Sequence, residues 1–218
     1  MIPKSLFDFL RELTDNNNRD WFNANKDHYK AEVVAPISAF IERMAPRVHA
    51  ISEHIVVDPR PNGGSMFRIY RDTRFSKDKT PYKTHVGCQF RHAAGKDAHA
   101  PGFYVHFEPG KCFFGGGVWQ PPSEPLRAIR QRIVDKPGEW RDAVAGIDVR
   151  GNQLKRGPKG FDPEHELIED LKRKSFFAMH EGTETLARSK KLEDEVEAQF
   201  RRAAPLMRFI ADSIGVAF

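Results

Sequence analysis

The stretch between residues 68 and 84 has the side chains best suited to a charged ligand, and reads RIYRDTRFSKDKTPYKT. It contains six lysines or arginines and two aspartates, with three aromatic residues among them. Arginine holds an oxyanion through two parallel hydrogen bonds, and lysine adds a point charge. The pattern predicts a site for phosphate or carboxylate groups; a solvated loop with internal ion pairs is the alternative. The predicted ligand-binding residues are Arg68, Arg71, Arg74, Lys77, Lys79, Tyr82 and Lys83, with Trp119 and Lys159 from later segments.

A histidine and a glutamate two residues apart are candidates for proton transfer. His106 and Glu108 lie in a predicted strand, where alternate side chains point to the same face of the sheet. An imidazole beside a carboxylate suits general acid and base catalysis, and nearby cations would stabilise developing negative charge. If the protein is an enzyme, we expect a phosphate-containing substrate and His106 as general acid or base, oriented by Glu108 or Asp72.

Two classes of function therefore stay open. One is a binding protein whose electropositive pocket takes a phosphorylated or other anionic small molecule, or a nucleic-acid backbone. The other is the enzyme just described. For either class we expect no cofactor, since the chain has no Walker loop, and no metal, since it has no His-x-x-x-His or Cys-x-x-Cys pair.

Two further segments are candidates for the same site. Gly115–Gly117 precedes a predicted helix that begins at Ser123, and glycines let either a phosphate or another part of the protein come close. The stretch 150–160 contains four lysines or arginines and no acidic residue. This stretch either folds against the basic residues of 68–84 or remains a solvated loop.

Hydrophobic spacing predicts the elements that must position these residues. Spacing of three and four residues predicts helices over 3–13, from Asp20 as N-cap to about residue 52, from Ser123, over 163–174 and over 190–214. Alternation predicts strands over 55–58, 65–71, 85–92, 102–108 and 111–119. We therefore expect a single α+β domain over 1–218, helical over 1–52, a sheet over 53–120 and helical over 121–218. The sheet is an antiparallel meander of about five strands, with the N-terminal and C-terminal helices packed on it.

Alternation also gives the predicted sheet two unlike faces. In the strand over 102–108, Phe103, Val105 and Phe107 point to one face. The other face is either simply solvated, as antiparallel sheets allow, or the floor of a polar groove. The residues expected along that groove are Arg68, Tyr70, Gln89, Arg91, Tyr104, His106 and Glu108.

Composition sets the outer limits. A chain of 218 residues with 39% hydrophobic residues is long enough for one sizeable core. No apolar run approaches the roughly 20 residues that span a bilayer, and the N-terminus lacks the apolar stretch of a signal peptide. We therefore expect a cytoplasmic protein without a membrane partner, with Cys88 and Cys112 reduced. The net charge of +5 permits a nucleic-acid partner without requiring one.

Four stretches of the chain carry a resemblance to a known family: NNNRDWF, FRIYRDTRFSKDKTPYKTHVG, FEPGKCFFGGGVWQPPSEPLRAIR and LKRGPKGFDPEHELIEDLKRKSFF. The sequence resembles the domain-of-unknown-function 2461 family of bacterial and fungal proteins from about residue 3 to beyond residue 210. The resemblance implies no particular activity, substrate or cofactor. It implies that the residues matching the family's motifs are Asn18, Arg68, Arg71, Asp72, Arg74, Lys77, Lys79, Tyr82, Lys83, Gly117, Trp119 and Lys159.

Overall fold

The first part of the chain is helical. The computed structural model describes residues 1–95 and 101–218. The first helices are α1 (Lys4–Asp15), α2 (Arg19–Ala24), α3 (Lys26–Tyr29), a π-helical turn (Lys30–Val34) and α4 (Ala35–His49). The N-cap of α2 is Asn18, whereas the sequence predicted Asp20. Asn18 takes this position because its side-chain oxygen accepts a hydrogen bond from the backbone N–H of Trp21 at 2.9 Å.

One open antiparallel sheet of four strands follows the helices. Its strands are β1 (Val86–Arg91), β2 (Gly102–Glu108), β3 (Lys111–Val118) and β4 (Phe176–Gly182), in that spatial order. The mixed helix and sheet content is confirmed, and so is the antiparallel pairing. The prediction of about five strands is not confirmed.

Two predicted strands, 55–58 and 65–71, run beside β1 without becoming part of the sheet. They meet β1 and its extension only at isolated bridges, Ile55 with His92 and Met66 with Cys88. The second segment leaves β1 because its backbone turns back on itself. The N–H of Lys83 donates to the carbonyl of Ile69 at 2.8 Å, and these residues therefore pair with each other and not with the sheet.

The strand β4 lies in the part predicted to be helical throughout, 121–218. The helices found there are α5 (Ser123–Asp135), α6 (Pro137–Ala143), α7 (Ile168–Leu171), α8 (Glu184–Ala187) and α9 (Leu192–Ser213). The helix predicted over 163–174 is reduced to α7, because the residues after it hydrogen-bond to another extended segment. The N–H of Lys174 donates to the carbonyl of Asn152 at 2.8 Å, and that of Leu154 to Lys172 at 2.8 Å.

Helix α9 covers one face of the sheet. The ring of Phe200 stacks on that of Phe103, with 4.4 Å between the centroids. A Cβ atom at Gly116 would lie 2.7 Å from the Phe103 ring, so close packing accounts for this glycine. The same helix contacts a second apolar cluster through Phe209, whose ring centroid is 5.2 Å from that of Trp140. Because α9 contributes to both clusters, it joins them; the single domain itself stays a prediction.

The buried groups of the sheet include both cysteines, Cys88 and Cys112, which are free thiols. Burial raises the pKa of each thiol to about 12. Across residues 1–95 and 101–218, no helix combines the length and apolar character needed to cross a bilayer.

Candidate functional site

The face of the sheet opposite α9, here called the open face, carries Gln89, Tyr104, His106 and Glu108, as strand alternation predicted. Arg68 and Tyr70 were also predicted there, but they belong to the segment that leaves β1, and Phe67 of that segment lines the face instead. Phe103, Val105 and Phe107 are buried against the helices. The strand register places the alternate residues in rows across the open face. One row consists of Gln89, Tyr104, Gly115 and Met179, and the next consists of Gly87, His106, Phe113 and Glu181.

A cleft of about 480 Å³ lies on this open face. The side chains of Tyr104, Phe113 and Met179 form its floor. Phe67 borders it beside β1, while the rings of Trp119 and Phe177, 5.4 Å apart, border it toward β4. The other residues that line it are Gln89, Gly102, Phe103, Lys111, Gly117, Arg150 and Glu181. Most of this lining is aromatic or aliphatic, as is usual in sites for small molecules.

The position of Tyr104 depends on a glycine in the neighbouring strand. A Cβ atom at Gly87 would lie 2.6 Å from the hydroxyl oxygen of Tyr104 and 3.1 Å from the ring of Phe67. Both distances are so short that a side chain at residue 87 would force Tyr104 or Phe67 to move. Gly87 therefore provides the space into which the Tyr104 side chain extends across β1.

Three side chains of β2 form a hydrogen-bonded chain on the open face. The hydroxyl of Tyr104 is 3.1 Å from Nδ1 of His106, and Nε2 of His106 is 3.2 Å from a carboxylate oxygen of Glu108. His106 is 6% exposed and lies between two rings, with centroid distances of 4.5 Å to His85 and 4.3 Å to Phe113. The structure therefore brings His106 and Glu108 together, as the sequence predicted.

The pKa values around His106 shift mainly because these groups are buried. Burial lowers the pKa of His106, although the hydrogen bond to Glu108 acts in the opposite direction. Burial and the neighbouring His106 lower the pKa of His85 to about 4. Burial raises the pKa of Tyr104. Both imidazoles are consequently neutral at pH 7, and the phenol keeps its proton.

Three charged residues lie at the rim of the cleft. Arg150 is shared between two carboxylates, at 2.9 Å from Asp148 and 3.2 Å from Glu181. The ammonium group of Lys111 lies 5.3 Å from the centroid of the Phe113 ring. Within the described parts of the chain, no carboxylate forms an ion pair with Lys111. Lys111 is therefore the rim cation best placed to meet an anionic group.

The charges of the basic segment, residues 68–84, are largely satisfied within the segment itself. Arg71 pairs with Asp78 at 2.5 Å, and Arg74 pairs with Asp72 at 2.7 Å. The ammonium groups of two lysines donate to backbone carbonyls: Lys79 to Thr73 and Lys83 to Arg68, each at 2.8 Å. This arrangement is the one the sequence left as the alternative to anion binding.

The predicted site residues fall into separate places. Trp119 lines the cleft, whereas Tyr82 is a core residue whose ring stacks on Phe22 at 4.1 Å. Asp72 contacts Arg74 rather than His106. Lys159 is exposed. The predicted residues that do not line the cleft are Arg68, Arg71, Arg74, Lys77, Lys79, Tyr82, Lys83 and Lys159.

Several residues of the cleft were not among the predicted site residues. Phe177, Met179 and Glu181 were missed because they belong to β4, which lies in a part of the chain predicted to be helical. The burial of β4 alternates, with Phe176 and Ala178 buried and Phe177 and Met179 half-buried, but its sequence does not, because all four side chains are apolar. Phe113 did carry a usable signal, because the strand predicted over 111–119 places it on the face opposite Cys112 and Phe114.

The comparison with protein families agrees with the resemblance seen in the motifs. The model of the family described as "Conserved hypothetical protein (DUF2461)" matches residues 5–209 of the 218-residue chain. The chain belongs to this family. The part that matches the DUF2461 family contains all four strands and every residue that lines the cleft. Among the curated proteins, none matches the chain.

Proposed function

We propose that the protein binds a flat, largely apolar small molecule with one anionic group, and that the cleft on the open face is the binding site. The observation that carries this proposal is the floor of the cleft, where Tyr104, Phe113 and Met179 lie side by side on neighbouring strands. Rings and a thioether present a flat apolar surface, to which a planar ligand adapts by stacking. A volume of about 480 Å³ suits one small molecule.

The rim supports an anionic group on the ligand. Lys111 stands over the Phe113 ring, so an ammonium group lies next to the apolar floor. The guanidinium of Arg150 is a second rim cation, although Asp148 and Glu181 offset its charge. The ligand is therefore expected to hold its carboxylate or phosphate near Lys111, with its apolar part over the floor. In this form, anion binding is assigned to the cleft and not to the basic segment.

Calorimetric titration of the folded protein tests the proposal with four variants in two matched pairs. Trp119→Ala removes a cleft aromatic, and Phe75→Ala removes one that is 95% exposed in the basic segment. Lys111→Gln removes the rim cation, and Lys77→Gln removes an exposed cation of the basic segment. The ligand panel, first screened by thermal shift, contains aromatic carboxylates, nucleoside monophosphates, their uncharged analogues, sugar phosphates and short oligonucleotides.

We expect an aromatic anion to bind, and Trp119→Ala to raise its dissociation constant about fivefold, since losing one stacking contact costs about 1 kcal/mol. Lys111→Gln should lower the affinity for the anion several-fold and leave the affinity for its uncharged analogue unchanged. Phe75→Ala and Lys77→Gln should bind the anion with the affinity of the wild type. If these two variants lose affinity while the cleft variants keep it, the basic segment is the site. Steep loss of oligonucleotide binding with salt would then indicate a nucleic-acid backbone as the ligand.

A further inference from the structure

The chain of hydrogen bonds from Tyr104 through His106 to Glu108 has a feature that ligand binding alone does not require. Its central imidazole is 6% exposed, and both ring nitrogens have a polar neighbour within 3.2 Å. An apolar side chain would fill the space between the rings of His85 and Phe113 without the cost of burying a polar group. The three residues also occupy successive positions on the same face of one strand, which fixes their spacing.

The order of the three groups determines where the protons lie. The side chain of Glu108 is 34% exposed and, when ionised, can only accept hydrogen bonds. Nε2 of His106 therefore carries the hydrogen and donates it to Glu108. In the neutral imidazole the other nitrogen, Nδ1, then has a free lone pair, which accepts the hydrogen of the Tyr104 hydroxyl. The phenol is thus linked to a base whose orientation is fixed by a carboxylate.

We propose that Tyr104, His106 and Glu108 form a proton relay in which Tyr104 is the catalytic residue of the cleft. A bound molecule with an acidic O–H, N–H or C–H group gives its proton to the Tyr104 oxygen as the phenolic proton moves to Nδ1 of His106. The electron pair of the broken bond stays on the bound molecule, and Glu108 stabilises the imidazolium that forms. The proposal rests on the proposed function, because it uses the same cleft.

The charges facing His106 fit this direction of transfer. Glu108 favours the imidazolium, whereas Lys111 disfavours it, and His85 on the opposite side of the ring is half-buried and neutral at pH 7. Lys83 faces His85 and disfavours its protonation. The resting relay therefore holds one proton on Tyr104 and one on Nε2. It becomes inactive only at acidic pH, when His106 takes up a second proton.

Labelling with a small arylsulfonyl fluoride tests the relay without knowledge of the substrate. In this reaction the tyrosine oxygen attacks sulfur, the S–F bond breaks, fluoride leaves, and the phenolic proton goes to a base. Mass spectrometry of the digested protein follows the rate at Tyr104 and at Tyr70, which is 48% exposed and serves as the internal control. The variants are Tyr104→Phe, His106→Gln and Glu108→Gln.

We expect Tyr104 to be labelled faster than Tyr70 at pH 7, with a rate that changes little between pH 7 and pH 9. Labelling of Tyr70, which does not belong to the relay, gives the reference rate at each pH. His106→Gln should slow labelling of Tyr104 at least about tenfold, and Glu108→Gln about threefold or more. Glu108→Gln disturbs the fold less than His106→Gln does. The Glu108 side chain is partly solvated, and replacing its carboxylate leaves the stack of the His85, His106 and Phe113 rings in place.

Equal labelling of Tyr104 in wild type and Glu108→Gln, or slower labelling of Tyr104 than of Tyr70 in the wild type, would overturn the relay. Tyr104→Phe separates the relay from the proposed function, because it keeps the aromatic floor and removes only the hydroxyl. An aromatic anion that binds this variant supports the cleft whatever the labelling shows. If no ligand of the panel binds but Tyr104 is labelled as expected, the ligand class of the proposed function is wrong, whereas the relay in the cleft is supported.

Discussion

In the basic segment, the ion pairs join exposed neighbours within one loop, whereas on the open face the polar groups meet beneath aromatic rings. Arg74 and Asp72 are two residues apart, and their side chains are 77% and 46% exposed. His106 is 6% exposed, and its two polar neighbours lie on either side of it along β2. Exposed pairs contribute little free energy, while a buried network responds strongly to the loss of any member. The density of charge in the sequence thus indicates the basic segment as the functional site, whereas the burial of polar groups in the structure indicates the open face.

The largest effect should come from the glycine at which β3 meets β4 beside the cleft. Gly117 has φ +147°, and a Cβ atom there would lie 2.1 Å from the carbonyl oxygen of Phe176. Gly117→Ala should lower the free energy of unfolding by about 3 kcal/mol or more, because backbone strain and overpacking act together. Urea denaturation measures this change.

The matched control for Gly117→Ala is Gly138→Ala. Gly138 lies in α6, and a Cβ atom there would meet no atom within 4 Å. The control should be neutral or should gain up to about 1 kcal/mol, as a glycine in a helix does when replaced by alanine. Similar losses of unfolding free energy in the two variants would show that the stability of the protein does not depend on the close approach of β3 and β4 at Gly117.

A second, smaller effect concerns the pH dependence of stability. Burial holds the pKa of His85 at about 4 and also lowers that of His106. An unfolded histidine binds its proton near pH 6.5, so between about pH 6.5 and pH 4 the unfolded state binds more protons than the folded state. Stability should therefore be complete above about pH 6.5 and fall as the pH falls toward 4.

His85→Phe isolates the contribution of one histidine to this pH dependence. The phenyl ring keeps the contact with His106 and removes a titrating group. Between pH 7 and pH 4.5, Tm should fall less in this variant than in the wild type, by about 2–4 °C. That difference in Tm corresponds to about 1 kcal/mol in the free energy of unfolding, after allowance for solvent screening. His49→Gln, at an exposed position of α4, should retain the pH dependence of the wild type. If all three proteins lose Tm equally, the buried imidazoles do not cause the acid sensitivity.

The parts of the open face that the sequence predicted are those that depend on one strand alone. The alternation over 102–108 required only that the chain be extended, and it correctly placed Tyr104, His106 and Glu108 on one face. Helix α1 was predicted for the same reason, since its spacing of apolar residues is a local property. The contact between His106 and Glu108 follows directly from that alternation.

The parts that were missed depend on partners distant in the chain. The segment 65–71 has strand-like alternation, but its residues near Ile69 pair with 81–83 and leave β1. Strand β4 exists because β3 offers it an edge, which no property of residues 163–182 reveals by itself. The cleft lies between the 65–71 segment and β4. Because long-range pairing brings these two segments together, local sequence patterns could not assign either of them to the cleft.

The smallest effect should come from the basic segment, where Arg71→Gln breaks the pair with Asp78. The side chain of Asp78 is 58% exposed, so water replaces much of what the ion pair supplies. We expect the free energy of unfolding to fall by less than about 1 kcal/mol, and 1 M salt to remove most of the difference between the variant and the wild type. Arg74→Gln, which breaks the more exposed pair with Asp72, should change stability by no more than that. Binding of an aromatic anion should be unchanged in both variants, because neither arginine lines the cleft. A tenfold loss of affinity in either would mean that these arginines exchange their aspartates for the ligand, and the two regions would then form one site.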